Sequence, residues 1–224
     1  MLFRSNPGFF TGQGVSRGKS LLEDINGDGY ADYLVADGND GDLAVAPSAL
    51  GRTNRLKSVD NPLGGRMFLD YAVAGTTYGL PFGQGVLSEV KQVDGVSGDG
   101  ADTIRTTYTY SQGNFNRRER MCYGFGQVQM NEWSQDSIYR ILETKYDVSS
   151  YYRKGLKRSE VVRDGQKKPY VRNQYTYELR YPDLGTVVPA SLEDVEDASY
   201  FPALVSQKTE YYEGNETEIG RAHV

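Results

Sequence analysis

What the chain lacks narrows its chemistry first. Its 224 residues hold one histidine (His223), one cysteine (Cys122) and one tryptophan. A lone cysteine forms no internal disulfide, so no disulfide framework supports the fold and none identifies the compartment. Cys122, in Met121-Cys122-Tyr123-Gly124, reads as a small core residue, since only nearby arginines could lower its pKa. With His223 set aside as part of the terminal hexapeptide, no imidazole general base remains and no Cys/His pair. GxSxG, P-loop and zinc-ligand spacings are missing as well. Glu216-Thr217-Glu218 mimics the paired glutamates of an ADP-ribosyltransferase, but no recognisable nicotinamide-binding region accompanies it. The expectation is a protein that is not an enzyme. No apolar run approaches the roughly 20 residues a membrane span needs, and Met1-Leu2-Phe3-Arg4 leads into no signal-peptide apolar core. A net charge of −5 argues against nucleic acid or an anionic membrane as the main partner.

Glycine (26 residues) and tyrosine (18 residues) are abundant, whereas long Ala/Leu/Glu/Lys runs are missing. Aromatic residues among frequent turn formers suit an all-β chain. The most specific stretch is Asp24-Ile25-Asn26-Gly27-Asp28-Gly29-Tyr30-Ala31-Asp32. Side-chain oxygens fall at its first, third, fifth and ninth positions, and a glycine at the sixth permits the sharp turn of a calcium loop. Asp24, Asn26, Asp28 and Asp32 would offer side chains, and Tyr30 its carbonyl. The twelfth position is Val35, inside the apolar run Tyr33-Leu34-Val35-Ala36, so the loop sits between strands and Asp32 closes the shell. An ordinary Asp/Asn/Gly turn is the plainer reading of the same residues.

Tyr33–Ala36 and Leu43–Ala46 read as short strands joined across Asp37–Gly41, whose acids miss the metal spacing. Phe9-Phe10 and Gly12-Gln13-Gly14 read as a short strand and turn, and Gly51–Asn54 closes this first unit. A second region begins near Val59. Met67, Leu69, Tyr71 and Val73 share a face, as do Ile104, Thr106, Tyr108 and Tyr110. Val86–Val93 is another strand, and Gly126–Trp133 with Ile138–Tyr146 form a pair joined at Ser134-Gln135-Asp136. Val171 to Tyr181 alternates most cleanly, with Tyr175, Tyr177 and Leu179 set against Thr176, Glu178 and Arg180. Leu204–Tyr212 is the last expected strand, and acidic Pro189–Ser199 a loop or short helical turn. Tyrosine on one face and Thr/Gln/Arg/Glu on the other describe a wide sheet with one wetter side. Arg117-Arg118-Glu119-Arg120 reads as a solvated or ion-paired surface turn.

The order of motifs resembles a known family. The Asp-x-Asn-Gly-Asp-Gly-x-x-Asp loop is similar to FG-GAP/VCBS blades of calcium-binding β-propellers. It is followed by Asn54-Arg55-Leu56, Asn61-Pro62-Leu63-Gly64-Gly65, Leu69-Asp70-Tyr71, Val86–Val90, Tyr108-Thr109-Tyr110, Arg118-Glu119-Arg120, Gly124-Phe125-Gly126 and Tyr152–Leu156. Over roughly residues 8–218 the series resembles the middle region of the B component of bacterial toxin complexes (Tc toxins) and related Rhs/YD-repeat proteins. The resemblance implies an all-β fragment: the end of an FG-GAP/VCBS-type β-propeller (1–58), then antiparallel strands of a large curved Rhs-type β-shell (59–218). It implies a non-enzymatic part of a secreted virulence factor that encapsulates and helps deliver a toxic C-terminal segment. Its implied partners are an A-type translocation pore and a C-type payload subunit, and its implied cofactor is Ca2+ on Asp24, Asn26, Asp28, Tyr30 and Asp32. The self-cleaving aspartate motif of that family is missing, and Tyr146-Asp147 is at best a degenerate YD signature. The alternative is a calcium-dependent extracellular adhesin or surface-binding module. Ile219–Val224 matches the translation of a common sequencing-library adapter and is read as artefact, with the chain a piece of a longer polypeptide.

Overall fold

The structure, a computed structural model, describes residues 20–26, 30–36, 43–49, 55–96, 103–192, 199–215 and 217–223. The expected strand at Phe9-Phe10 and the Gly51–Asn54 cluster lie outside them. The chain divides into two compact units, Met1–Lys57 with Tyr71–Val86, and Ser58–Asp70 with Leu87–Val224. Strands β1 (Ser20–Glu23), β2 (Asp32–Ala36) and β3 (Leu43–Ala46) form a three-stranded antiparallel sheet in that order. Then come β4 (Ser58–Asp60), β5 (Arg66–Ala74), β6 (Gln84–Val93), β7 (Thr103–Asn116), β8 (Met121–Ser134), β9 (Ser137–Tyr146), β10 (Lys157–Asp164), β11 (Pro169–Arg180), β12 (Phe201–Tyr211) and β13 (Gly220–His223). These ten strands make one sheet in which every strand neighbours the next in sequence. The only helical piece among the described residues is a 3-10 turn, Ala190–Leu192, inside the acidic loop. The all-β expectation is therefore met.

Several strands depart from the expected pattern. Val73 is 41% exposed and Ala74 takes the inward place, so the alternation of β5 changes phase after Tyr71. Ile104 is also exposed, unlike Tyr108 and Tyr110 on the same face. Strands β1, β4 and β10 were not expected, and β13 follows the strand expected to be last. β13 comes from the adapter-like residues; the open edge of β12 offers main-chain groups that almost any segment can pair with. Cys122 is a free, half-buried thiol on β8.

Register places two kinds of row on the sheet. Tyr108, Met130, Leu142, Val162, Val171 and Tyr211 are successive cross-strand neighbours on one face. One residue along, on the opposite face, the row reads Thr109, Gln129, Glu143, Val161, Arg172, Glu210. The tyrosine-versus-polar division is thus present in the fold. The tightest packing lies where β11 meets the segment before β12. Leu179, Val188 and Tyr200 are buried together, with Tyr152 and Tyr181 against them. Tyr200 stands 5.0 Å from the Tyr152 ring and 5.4 Å from the Tyr181 ring, and its hydroxyl donates to the Leu192 carbonyl.

Two carboxylates of the sheet are covered by being paired. Glu210 accepts from Lys208 Nζ and, at 3.0 Å, from the Tyr212 hydroxyl, with Arg172 at 3.5 Å. The Lys208 hydrogen bond holds its carboxyl below the usual range against the opposing effect of burial, and Tyr212 and Arg172 add to it. Glu89 is held down similarly by Lys91 at 2.7 Å and Arg105 at 2.8 Å. At the β4–β5 turn, Gly64 (φ +98°) comes against Gly95 (φ +81°), where an added Cβ would lie 2.1 Å from the Gly64 carbonyl oxygen. That approach explains the paired glycines of Asn61-Pro62-Leu63-Gly64-Gly65.

Two measurements check this account. Leu179→Ala should cost about 2–5 kcal/mol in urea unfolding, whereas Thr176→Ala, at an exposed neighbour, should stay within about 0.5 kcal/mol. Equal costs would reject the facing of β11. Because the folded Glu210 carboxyl sits low, its stabilisation is present above the ordinary carboxylate range and disappears as pH falls through the lowered value. Glu210→Gln should lose about 1–3 kcal/mol at pH 7, a difference that narrows well below about pH 4. A pH-independent deficit would show that the charge is not the source.

Candidate functional site

Strands β1 and β2 pair with Glu23 opposite Asp32, so the turn between them is the whole of the expected calcium loop. Asp24 leaves the end of β1 and Asp32 opens β2; Asn26 and Tyr30 lie in the connection. Four expected ligand residues are therefore gathered in one hairpin. Asp28, with Gly27 and Gly29, lies outside the described residues. Asp24 and Asn26 are exposed and Tyr30 is half-buried, while Asp32 is only 1% exposed.

The Asp32 carboxylate ties the turn together. Oδ2 accepts the Ile25 N–H at 3.0 Å, and Oδ1 accepts the Ser48 N–H at 2.8 Å. The Ser48 bond is the largest influence lowering its pKa; burial opposes it, and the N–H groups of Ile25 and Asn26 assist. An anion is thus stabilised in a buried place by backbone dipoles rather than by a cationic side chain. Each carboxylate oxygen carries more than one lone pair, so accepting an N–H leaves capacity toward a cation. The donor set is all oxygen (carboxylates, one amide and one carbonyl), which fits a hard divalent ion. Among the described residues no cluster of three or more His, Cys, Asp or Glu is poised for a metal. Asp24 and Asp32 are the carboxylates of this loop that can be placed.

The link from Ser48 could not be read from the loop's spacing, because Ser48 lies beyond β3. Its signal was indirect: Pro47-Ser48 follows a strand whose register brings Ala46 beside Tyr33, one residue from Asp32. Arg117–Arg120 forms the β7–β8 turn, where Asn116 Oδ1 accepts the N–H groups of Arg118 and Glu119 and the Tyr123 hydroxyl donates to Glu119.

Comparison with known proteins bears on most of the chain. The family described as "Insecticide toxin TcdB middle/N-terminal region" matches residues 14–160. No curated protein matches the chain. Among solved structures, the crystal structure of TcdB2-TccC3 is similar with a TM-score of 0.63 at 14% identity, over 87% of this chain and 13% of that one. The TcdB2-TccC3-Cdc42 crystal structure gives 0.62 at 15% identity, over 87% and 12%. A mutant Tc holotoxin pore of Photorhabdus luminescens gives 0.65 at 14% identity, again over 87% and 12%. The chain therefore spans about an eighth of the structures it resembles. A family match over residues 14–160, most of the sequence, leads to one conclusion: the chain belongs to the insecticide toxin TcdB middle/N-terminal family.

Proposed function

We propose that this chain is a non-enzymatic structural segment of a secreted bacterial Tc/Rhs-type toxin, part of a β-shell that encapsulates and helps deliver a toxic C-terminal segment. The observation that carries the reading is the sheet from β4 to β13, ten strands wide in unbroken sequence order, within a chain of this family. Such a sheet is a wall rather than a compact sandwich, and it favours the shell over an isolated calcium-dependent adhesin module. The related structures are of TcdB2-TccC3 and of a Tc holotoxin pore. By that likeness, association with a C-type payload subunit and an A-type translocation pore extends to the protein that contains this segment, and its place of action is extracellular. Produced in its full-length protein with a C-type partner, the segment should be needed to protect the payload from protease. Unchanged protection after removal of β10–β12 would remove the reading.

The same proposal makes β1–β3 the end of an FG-GAP/VCBS-type propeller whose loop takes calcium through Asp24, Asn26, Asp28, Tyr30 and Asp32. Calcium would supply a fixed positive charge that draws the acidic turn closed; the chain's own contribution is the oxygen donors and the N–H groups that orient Asp32. The expected dissociation constant is on the order of 10⁻⁴–10⁻³ M, and calcium at ten times that value should add about 1.4 kcal/mol. Asp28→Ala should abolish the calcium-dependent rise in melting temperature. Asp32→Ala should in addition lower stability by about 1–3 kcal/mol in chelator, because two backbone N–H groups lose their acceptor. A full calcium response in the Asp28 variant would place the metal elsewhere.

A further inference from the structure

Ser159 on β10 lies between two longer register partners, Lys145 on β9 and Gln174 on β11. A short side chain between long ones leaves a dent in a sheet. A depression of about 440 Å³ lies there, lined among others by Lys145, Arg158, Ser159, Gln174 and Thr176. Arg158 reaches it through a break in the ladder. Lys157 pairs with Tyr146 and Ser159 with Lys145, so Arg158 is the extra residue of a β-bulge. Bulges re-aim a side chain and concentrate beside functional sites.

The lining holds two cations, five neutral side chains able to donate hydrogen bonds (those of Tyr146, Ser159, Gln174, Tyr175 and Thr176), and no carboxylate. The adjacent cation Lys157 is committed to Glu160 at 2.5 Å. Lys145 has a loose contact with Glu143, 3.6 Å away, and its own side chain is half-exposed, so the pair contributes little. Among the described residues Arg158 is exposed and has no ion-pair partner. A guanidinium offers a planar fork of donors that matches the two oxygens of a phosphate or carboxylate. Glu143, in contact with Lys145, and Glu160, next to Ser159 along the chain, are the acids beside the dent. An extended polyanion would meet those acids; a single oxyanion group would not.

We propose that this depression binds one oxyanion group, phosphate or carboxylate, with Arg158 as its fork, Lys145 as the second charge, and Ser159, Gln174 and Thr176 as neutral donors. The site is independent of the toxin reading, since it needs only β9, β10 and β11. Thermal unfolding of the 224-residue chain in sodium phosphate, sodium succinate and sodium chloride at matched ionic strength tests it. Phosphate or succinate should raise the midpoint saturably above chloride, and the stronger of the two identifies the oxyanion. Arg158→Gln and Lys145→Gln should each weaken the apparent affinity by about tenfold or more, while Arg158→Lys keeps part of it. Ser159→Leu should abolish the effect by filling the dent with both charges in place. If Ser159→Leu fails to fold, Arg158→Gln at its exposed position decides. The same response to all three salts, or an Arg158→Gln chain that responds like the parent, overturns the proposal.

Discussion

Main-chain pairing between strands adjacent in sequence is the constraint on which the rest depends. From β4 to β13 every strand is laid beside the one just made, so the ladders close over short loops except between Arg180 and Phe201, where the connection is long and holds the 3-10 turn. Loop-closure entropy stays small for each added strand, and no distant segment has to be found before the next pair forms. Such growth has a consequence for packing. Most side chains of the sheet are half-exposed; Leu179, Val188 and Tyr200 are buried as a packed cluster, and Ile141 and Val161 are among the few other apolar side chains of its strands that are buried. Cross-strand pairs must then carry a large share of side-chain stabilisation, each contributing roughly 0.2–1 kcal/mol.

The two faces meet that demand differently. On the tyrosine face, rings and aliphatic chains sit side by side across strands, and a phenol can remain half-hydrated without losing a hydrogen bond. On the polar face a recurring trio appears. Glu89 is held by Lys91, two residues along its own strand, and by Arg105 of the neighbouring strand. Glu210 is held by Lys208, two residues back, and by Arg172 across the ladder. In both, the lysine bond is the main influence keeping the carboxyl ionised against burial. Period-two geometry is the reason: residues two apart share a face, and the register partner lies beside them. The aromatic neighbour also recurs, with Arg105 over Trp133 and Arg172 over Tyr212.

Much of this was legible. The β2–β3 and β8–β9 hairpins follow from short apolar or alternating runs separated by turn residues, and the facing of Tyr175, Tyr177 and Leu179 follows from alternation alone. What the sequence hid is concentrated at bulges. The extra residues of the β7–β8, β8–β9, β9–β10 and β10–β11 ladders are Tyr123, Tyr139, Arg158 and Tyr170. Each inserts one residue and resets the phase on which a period-two reading relies. Lys157–Asp164 was missed for that reason, as its bulged start scrambles an already charged strand. Tyr123 shows what a bulge can gain. It is 5% exposed, accepts a hydrogen bond from Asn116 and gives one to Glu119, bracing the arginine turn that the sequence presented only as surface.

The calcium-type loop shows the limit of spacing as evidence in the other direction. Ligand spacing describes which oxygens a cation would meet, but the same Asp/Asn/Gly pattern also builds turns in which carboxylates cap the backbone. Asp32 does the second of these visibly: its two oxygens take N–H groups from the start of the loop and from beyond β3. The anion is therefore fixed in place by the fold itself, with its charge sustained by main-chain dipoles. If the proposed cation binds, a carboxylate already fixed in this way would cost less to order, which is the general advantage of preorganisation. The turn as seen and the proposed metal loop are consequently compatible descriptions of Asp24–Asp32. The turn is the scaffold, and the unanswered oxygen capacity of Asp32 is what a calcium ion would use.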